Sequence, residues 1–262
     1  MLMNPRFIRA IVPVYLSLWF VVGASTVAAQ DAPAAKKVDQ SMPDLDKAAQ
    51  WLEEGRSTLD AGPLTAAQQA YEGYANTGTV TFNCCFNLAR VYYYMTFMYE
   101  LNKHRDDAKR SLDTGLKWGL RASGINNQSP EVHALLADMY VRKILVGDFF
   151  TPMDCGPKGG AEKDKAVKLG PDNPRVLAMQ GRCSLFAPPI FGGDVHKALT
   201  YFKKSLELEP GSDETYFWLA KAYRNLNDHS DFEKAIQAAL KLNPKNILAQ
   251  MELESWPVKP AK

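Results

Sequence analysis

The chain has 262 residues, with 31 Lys and Arg against 29 Asp and Glu, long enough for one large or two small cores. A balance this close to neutral excludes nucleic acid as a generic partner, because phosphate binding requires a basic footprint. Four cysteines and four histidines are too few and too scattered for a metal-rich or disulfide-dense class.

Residues 1–29 have the pattern of a secretory signal. Arg6 and Arg9 form a basic start, Ala10 to Ala24 is uncharged, and Val27 to Ala29 supplies small residues for cleavage. Export across the inner membrane is therefore expected, with cleavage near Ala29 and a periplasmic location. The competing reading is a retained anchor, since Ala10 to Ala29 carries no charge and reaches spanning length. Pro13 and the small-residue exit favour cleavage, and membrane contact is then expected only through an uncleaved anchor. Removing this segment takes two Arg and no acid, leaving 29 basic against 29 acidic residues. Export also permits disulfides at Cys84, Cys85, Cys155 and Cys183. Residues 30–46, rich in Pro, Ala and charge without helical periodicity, are expected to be a flexible linker.

From residue 47 to 255 the apolar spacing is helical, with no convincing alternation of period two. Short strings repeat within it: "LARVY" at Leu88, "LADMY" at Leu136 and "LAKAY" at Leu219. A small residue marks the middle of each candidate first helix, at Gly55, Ala89, Ala137, Gly181 and Ala220, separated by 34, 48, 44 and 39 residues. Four residues before these lie Trp51, Cys85, His133, Leu177 and Tyr216; three after lie Thr58, Tyr92, Tyr140, Ser184 and Tyr223. Candidate second helices follow, as in "HKALTYFKKSLELEP", which places Ala198, Phe202, Ser205 and Pro210 at spacings of four, three and five. Pro171 and Pro244 also close apolar helical stripes, because proline cannot continue a helix and leaves the preceding residue extended. Asn246 to Glu254 reads as an amphipathic capping helix, and residues 256–262, with two prolines nearby, as a disordered tail.

On these residues the chain resembles the tetratricopeptide repeat (TPR) family, whose unit is a pair of antiparallel helices with large, small and aromatic residues at such spacings and a closing proline. The likeness is strongest over Asp194 to Pro210. The expected fold is all-α: a TPR-like solenoid of about five antiparallel helix pairs plus a C-terminal capping helix, over residues 47–255. Two stretches depart from the repeat, "GDFFTPMDCGPKGG" (147–160) and "FAPPIFGGD" (186–194). Both are placed in turns between first and second helices, hence on one edge, as plugs over apolar surface or as a binding lip. That shared edge also predicts a Cys155–Cys183 disulfide. Cys84 and Cys85 are expected inside a helix packing face.

No catalytic constellation is legible. The histidines lack a partner at metal-ligand spacing, and nucleophile elbow, phosphate loop and dinucleotide fingerprint are all missing. The expectation is a non-enzymatic protein with no metal and no cofactor. The resemblance implies instead a concave face lined by first helices. The residue after each small marker should point into it: Arg56, Arg90, Asp138, Arg182 and Lys221. Phe86, Phe217, Tyr93 and Arg224 share that stripe at helical spacing. These nine residues form the candidate groove, a cationic ladder with aromatics suited to a protein or acidic peptide partner; the bland alternative is ordinary solvated charge. A second reading is a small-ligand-binding component. "APPIFGGDVHKAL" is similar to segments of the T-component of TRAP transporters, and an enclosed apolar pore lined by Phe86, Tyr93, Tyr94 and Phe97 would mark that case.

Overall fold

A computed structural model describes residues 44–78 and 80–256; the expected signal segment, most of the linker and residues 257–262 lie outside them. Ten helices pair in sequence and an eleventh follows: α1 (Leu45–Thr58), α2 (Ala61–Asn76), α3 (Phe82–Leu101), α4 (Arg105–Ile125), α5 (Pro130–Val146), α6 (Thr151–Leu169), α7 (Pro174–Phe186), α8 (Val195–Leu208), α9 (Asp213–Asn225), α10 (His229–Leu242) and α11 (Ile247–Ser255). A 3-10 turn, Pro189–Phe191, separates α7 from α8. The all-α solenoid of five hairpins and a capping helix is therefore the fold.

Local chemistry explains where helices start. The side chains of Asp44, Thr81, Ser129, Asn173, Asp194, Ser212, Asp228 and Asn246 each accept a backbone N–H of the turn that follows. Such caps satisfy donors that a helix N-terminus otherwise leaves open. Pro130 and Pro174 occupy the first helical position, where no N–H is needed.

The small markers sit where second helices press closest. Ala89, Ala137 and Ala220 are fully buried. A Cβ on Gly55 would lie 2.6 Å from Leu64 Cδ2, and one on Gly181 would lie 2.5 Å from the Phe202 ring. Leu64 and Phe202 thus fill the space that a missing side chain leaves. Stacked hairpins bury a continuous core that one pair alone would expose. Cys84 lies within it and Cys85 in a smaller cluster with Ala122 and Val132, both inside packing faces as expected.

The array does not remain open. Ser57 near the end of α1 accepts Nδ2–H of Asn243 beyond α10 at 2.8 Å, and Lys245 stands 3.5 Å from Glu54. The first and last repeats meet, so the concave face surrounds a central space.

Several expectations are corrected. The first helix of the described residues starts at Leu45, capped by Asp44, so residues 44–46 leave the expected linker. Trp256 is not frayed: its ring lies 3.8 Å from that of His229 and 4.7 Å from that of Phe232. Residues 147–160 are not a loop, because α6 starts at Thr151 and runs through Cys155 and Pro157. The predicted Cys155–Cys183 bridge is absent, and both thiols are free. Cys155 is held inside α6, with its Sγ 3.7 Å from Asp154, while Cys183 Sγ lies 3.6 Å from Met179 Sδ. Burial, with Asp138 nearby, pushes the Cys183 thiol up to about 12.

Candidate functional site

The concave faces of α1, α3, α5 and α7 and the start of α9 line a half-open cavity of about 300 Å³. Six of the nine candidate groove residues line it: Arg56, Phe86, Arg90, Tyr93, Asp138 and Arg182. Phe217, Lys221 and Arg224 do not. Phe217 is buried against Trp218, and Lys221 and Arg224 both donate to Glu252 of α11, at 3.0 and 2.7 Å. The capping helix therefore covers the far end of the stripe.

The free cationic ladder is also corrected. The three ladder arginines that reach the cavity, Arg56, Arg90 and Arg182, are each held by a carboxylate. Arg56 donates to Glu53 at 2.8 Å and to Asp213 at 3.1 Å. Arg90 donates to the other Glu53 oxygen at 2.6 Å. Arg182 grips Asp138 in a fork, at 3.0 and 2.5 Å. These acids come from other repeats or from the same helix.

Hydrogen-bond accounting nevertheless leaves the site with a direction. Every carboxylate oxygen of Glu53, Asp138, Asp213 and Glu214 is engaged. Asp213 takes Arg56, Asn243 and Asn246, and Glu214 takes the Tyr94 hydroxyl and Trp218 Nε1–H. Glu131, also in the wall, accepts from Ser129 and Asn173. A guanidinium carries five N–H donors. Arg90 spends two, on Asn87 and Glu53, and Arg182 two on Asp138. The Tyr93 hydroxyl makes no hydrogen bond within the described residues, although only 6% of the residue is exposed. The walls thus offer surplus donors and few open acceptors.

The protonation states keep it so. Burial, with Asp138 next, raises the Tyr93 phenol well above its ordinary range, and burial and Glu214 do the same for Tyr94. Both remain neutral donors. Burial opposes the charge on Arg182, but Asp138 outweighs it and keeps the guanidinium protonated. Burial also lifts the Asp138 carboxyl, against the pull of Arg182. For Glu53 the arginines win over burial, and its carboxyl lies below the usual range.

Sequence reasoning missed Glu53, Asp213 and Glu214, and placed Tyr94 only in the alternative apolar pore. Tyr94 and Glu214 join α3 to α9 at 3.2 Å, across 120 residues of sequence. Only the closure of the array brings them together, and no local spacing announces it. Arg175 and Glu209 stand exposed in the lining. The wall is charged and not the apolar pore considered above; Phe97 lies outside it, under the Arg142 guanidinium at 3.9 Å. Among the described residues no cluster of His, Cys, Asp and Glu is placed to hold a metal ion, and no helix is long and apolar enough to cross a membrane.

The chain's likenesses agree with this architecture. A family model described as tetratricopeptide repeat matches residues 192–252. No curated protein matches the chain. Among solved structures, TTC0263, a thermophilic TPR protein of Thermus thermophilus, is similar at 16% identity over 79% of this chain and 97% of that one, with a TM-score of 0.52. YrrB, described as a TPR protein with an unusual peptide-binding site, is similar at 16% identity over 79% and 97%, with a TM-score of 0.38. The APC/C hetero-tetramer Cut9-Hcn1 is similar at 15% identity over 82% and 37%, with a TM-score of 0.46. The fold comparison rests on the first of these. Residues 192–252 are thus similar to the tetratricopeptide repeat family, and the array they close shares the fold of TTC0263.

Proposed function

We propose that this is a non-enzymatic binding protein of the cell envelope that captures a protein partner by a carboxylate-bearing peptide end held in the central cavity. The observation that carries the reading is the surplus of donors on Arg90, Arg182 and Tyr93 beside carboxylates that are already spent. A ligand must then bring acceptors, and charge-assisted donors favour an oxyanion. Closure of the array also limits the guest to an end of a chain, because about 300 Å³ has no room for a folded segment.

The cavity size favours a second reading, a free small carboxylate in the same place. Two measurements divide them. Immobilised short peptides with a free C-terminus are compared with amidated twins, and the protein as purified is weighed by native mass spectrometry. Retention on the free-acid peptides alone is expected, weakened roughly threefold to tenfold by Tyr93→Phe, which removes one hydrogen bond without changing shape. A bound small acid that competes with them would favour the second reading. Equal retention on both peptide forms would overturn the carboxylate assignment.

A further inference from the structure

The two turns, read in sequence as plugs over apolar surface or as a binding lip, expose large apolar side chains. Phe149 is 86% exposed, Phe150 70%, Met153 75%, Ile190 84% and Phe191 76%, far above other large apolar side chains of the described residues. Phe149 and Phe150 sit in the α5–α6 turn, Met153 just beyond it at the start of α6, and Ile190 and Phe191 in the α7–α8 turn. Successive first helices pack side by side and run the same way, so both turns emerge at one edge of the array, roughly a helix spacing apart.

We propose that this edge docks on a lipid bilayer, entering its interface with Phe149, Phe150, Met153, Ile190 and Phe191. The shape of the feature selects the partner. These side chains project outward and line no groove, so a fluid surface accepts them without a preformed pocket.

Most backbone N–H groups of the turns are satisfied locally, those of Phe149 and Ile190 excepted. A bilayer offers few hydrogen-bond partners, so a segment that enters it must satisfy its own polar groups. The N–H groups of Phe150 and Thr151 donate to Asp148 Oδ1, and that of Asp148 donates to Thr151 Oγ1. Those of Phe191 and Gly193 donate to Pro188 O, that of Gly192 to Pro189 O, and that of Asp194 to Ser184 O. Pro188 and Pro189 have no N–H to satisfy.

The acids of the turns are committed too. Asp148 and Asp194 cap the helices that follow, and Asp154 pairs with Lys158 at 2.6 Å. Asp154 is thus neutralised by Lys158, while Asp148 and Asp194 keep their charge with their oxygens engaged by backbone N–H groups. Insertion to interfacial depth, about 5–10 Å, buries much of the five side chains. An apolar contact of this size is reversible alone and becomes durable with a second membrane element. The uncharged run Ala10–Ala29 is a candidate for that element.

The test places an environment-sensitive fluorophore on the full chain at Phe150→Cys, at Ile190→Cys, and at Lys241→Cys on the opposite edge, labelled in the native state. Vesicles of phosphatidylcholine, with and without phosphatidylglycerol, are then added. Blue-shifted, severalfold brighter emission at 150 and 190, with none at 241, is expected on both vesicle types. A retained N-terminal anchor would bring the chain to the vesicles without producing that pattern. Water-like emission at 150 and 190 on both vesicles would overturn the proposal, as would an equal shift at all three positions. A shift that grows with protein concentration in the absence of vesicles would assign the edge to a second copy of the chain and overturn it as well.

Discussion

Gly181 shows how much a single position decides. The Phe202 ring occupies the place of its absent side chain, and an added Cβ would sit 2.5 Å from a buried aromatic carbon. A rigid ring in a packed core cannot swing away as the end of a flexible chain can. Gly181→Ala is therefore expected to destabilise the fold by about 1–3 kcal/mol, the usual cost of overpacking, read as a lowered urea midpoint at unchanged slope. A midpoint at or above that of the parent would mean that α7 and α8 separate without cost. Glu53 gives a pH-dependent case. Arg90 and Arg56 hold its carboxyl below the ordinary 4.5, so the native state favours the ionised form. The resulting stabilisation is complete above the ordinary value and fades as pH falls through the depressed one. The side chain is half exposed, which keeps the contribution under about 1 kcal/mol. Glu53→Gln should lower stability at pH 7, by a difference that shrinks at an acid pH below the depressed value. A difference of equal size at both pH values would show that shape, not charge, is what the substitution removes.

Helices carry the next level of the argument, and α11 shows it most clearly. It covers the open end of the last hairpin, with Ala249 buried and the Glu252 side chain only 9% exposed between Lys221 and Arg224. Glu252→Ala removes the acceptor shared by two partly exposed cations and should cost about 1 kcal/mol. Hydrogen exchange should show the α11 amides losing protection first, with α5 amides unchanged. Uniform loss across the chain would contradict a local capping role. The helices themselves were legible because their signals are local: Asp, Ser, Thr or Asn at the caps, proline after the stripe, and a small residue under each neighbour. α6 was misread for the same reason. "GPKGG" is rich in residues that weaken helices, yet Gly159 rests on Tyr140 and Cys155 is buried, so packing against α5 overrides propensity. The groove was half legible. Marker spacing identified Arg90, Asp138 and Arg182, but Phe217 and Lys221 share that spacing and face a helix that only the complete array positions.

At the scale of the whole molecule, closure decides what the concave face can hold. Asp213 is the hub: it accepts Arg56 from α1, Asn243 after α10 and Asn246 before α11, and it lines the cavity. The twist of a helical array accumulates over all its repeats, so no short window of sequence states whether the ends will meet. Open repeat arrays depend on nearest-neighbour contacts alone and can lose their end repeats separately. A seam between first and last repeat couples those ends, and unfolding should then be a single transition. Asp213→Ala removes the shared acceptor and leaves Arg56 and two amides without it. An early phase in which α1 and α11 lose protection before α5 is expected, along with a larger hydrodynamic radius. Retention of free-acid peptides should fall in parallel, because an opened seam admits water where the donors now converge. If Asp213→Ala kept one transition and an unchanged radius, the seam would be a contact between neighbours and the cavity would owe its enclosure to the packing of the first helices.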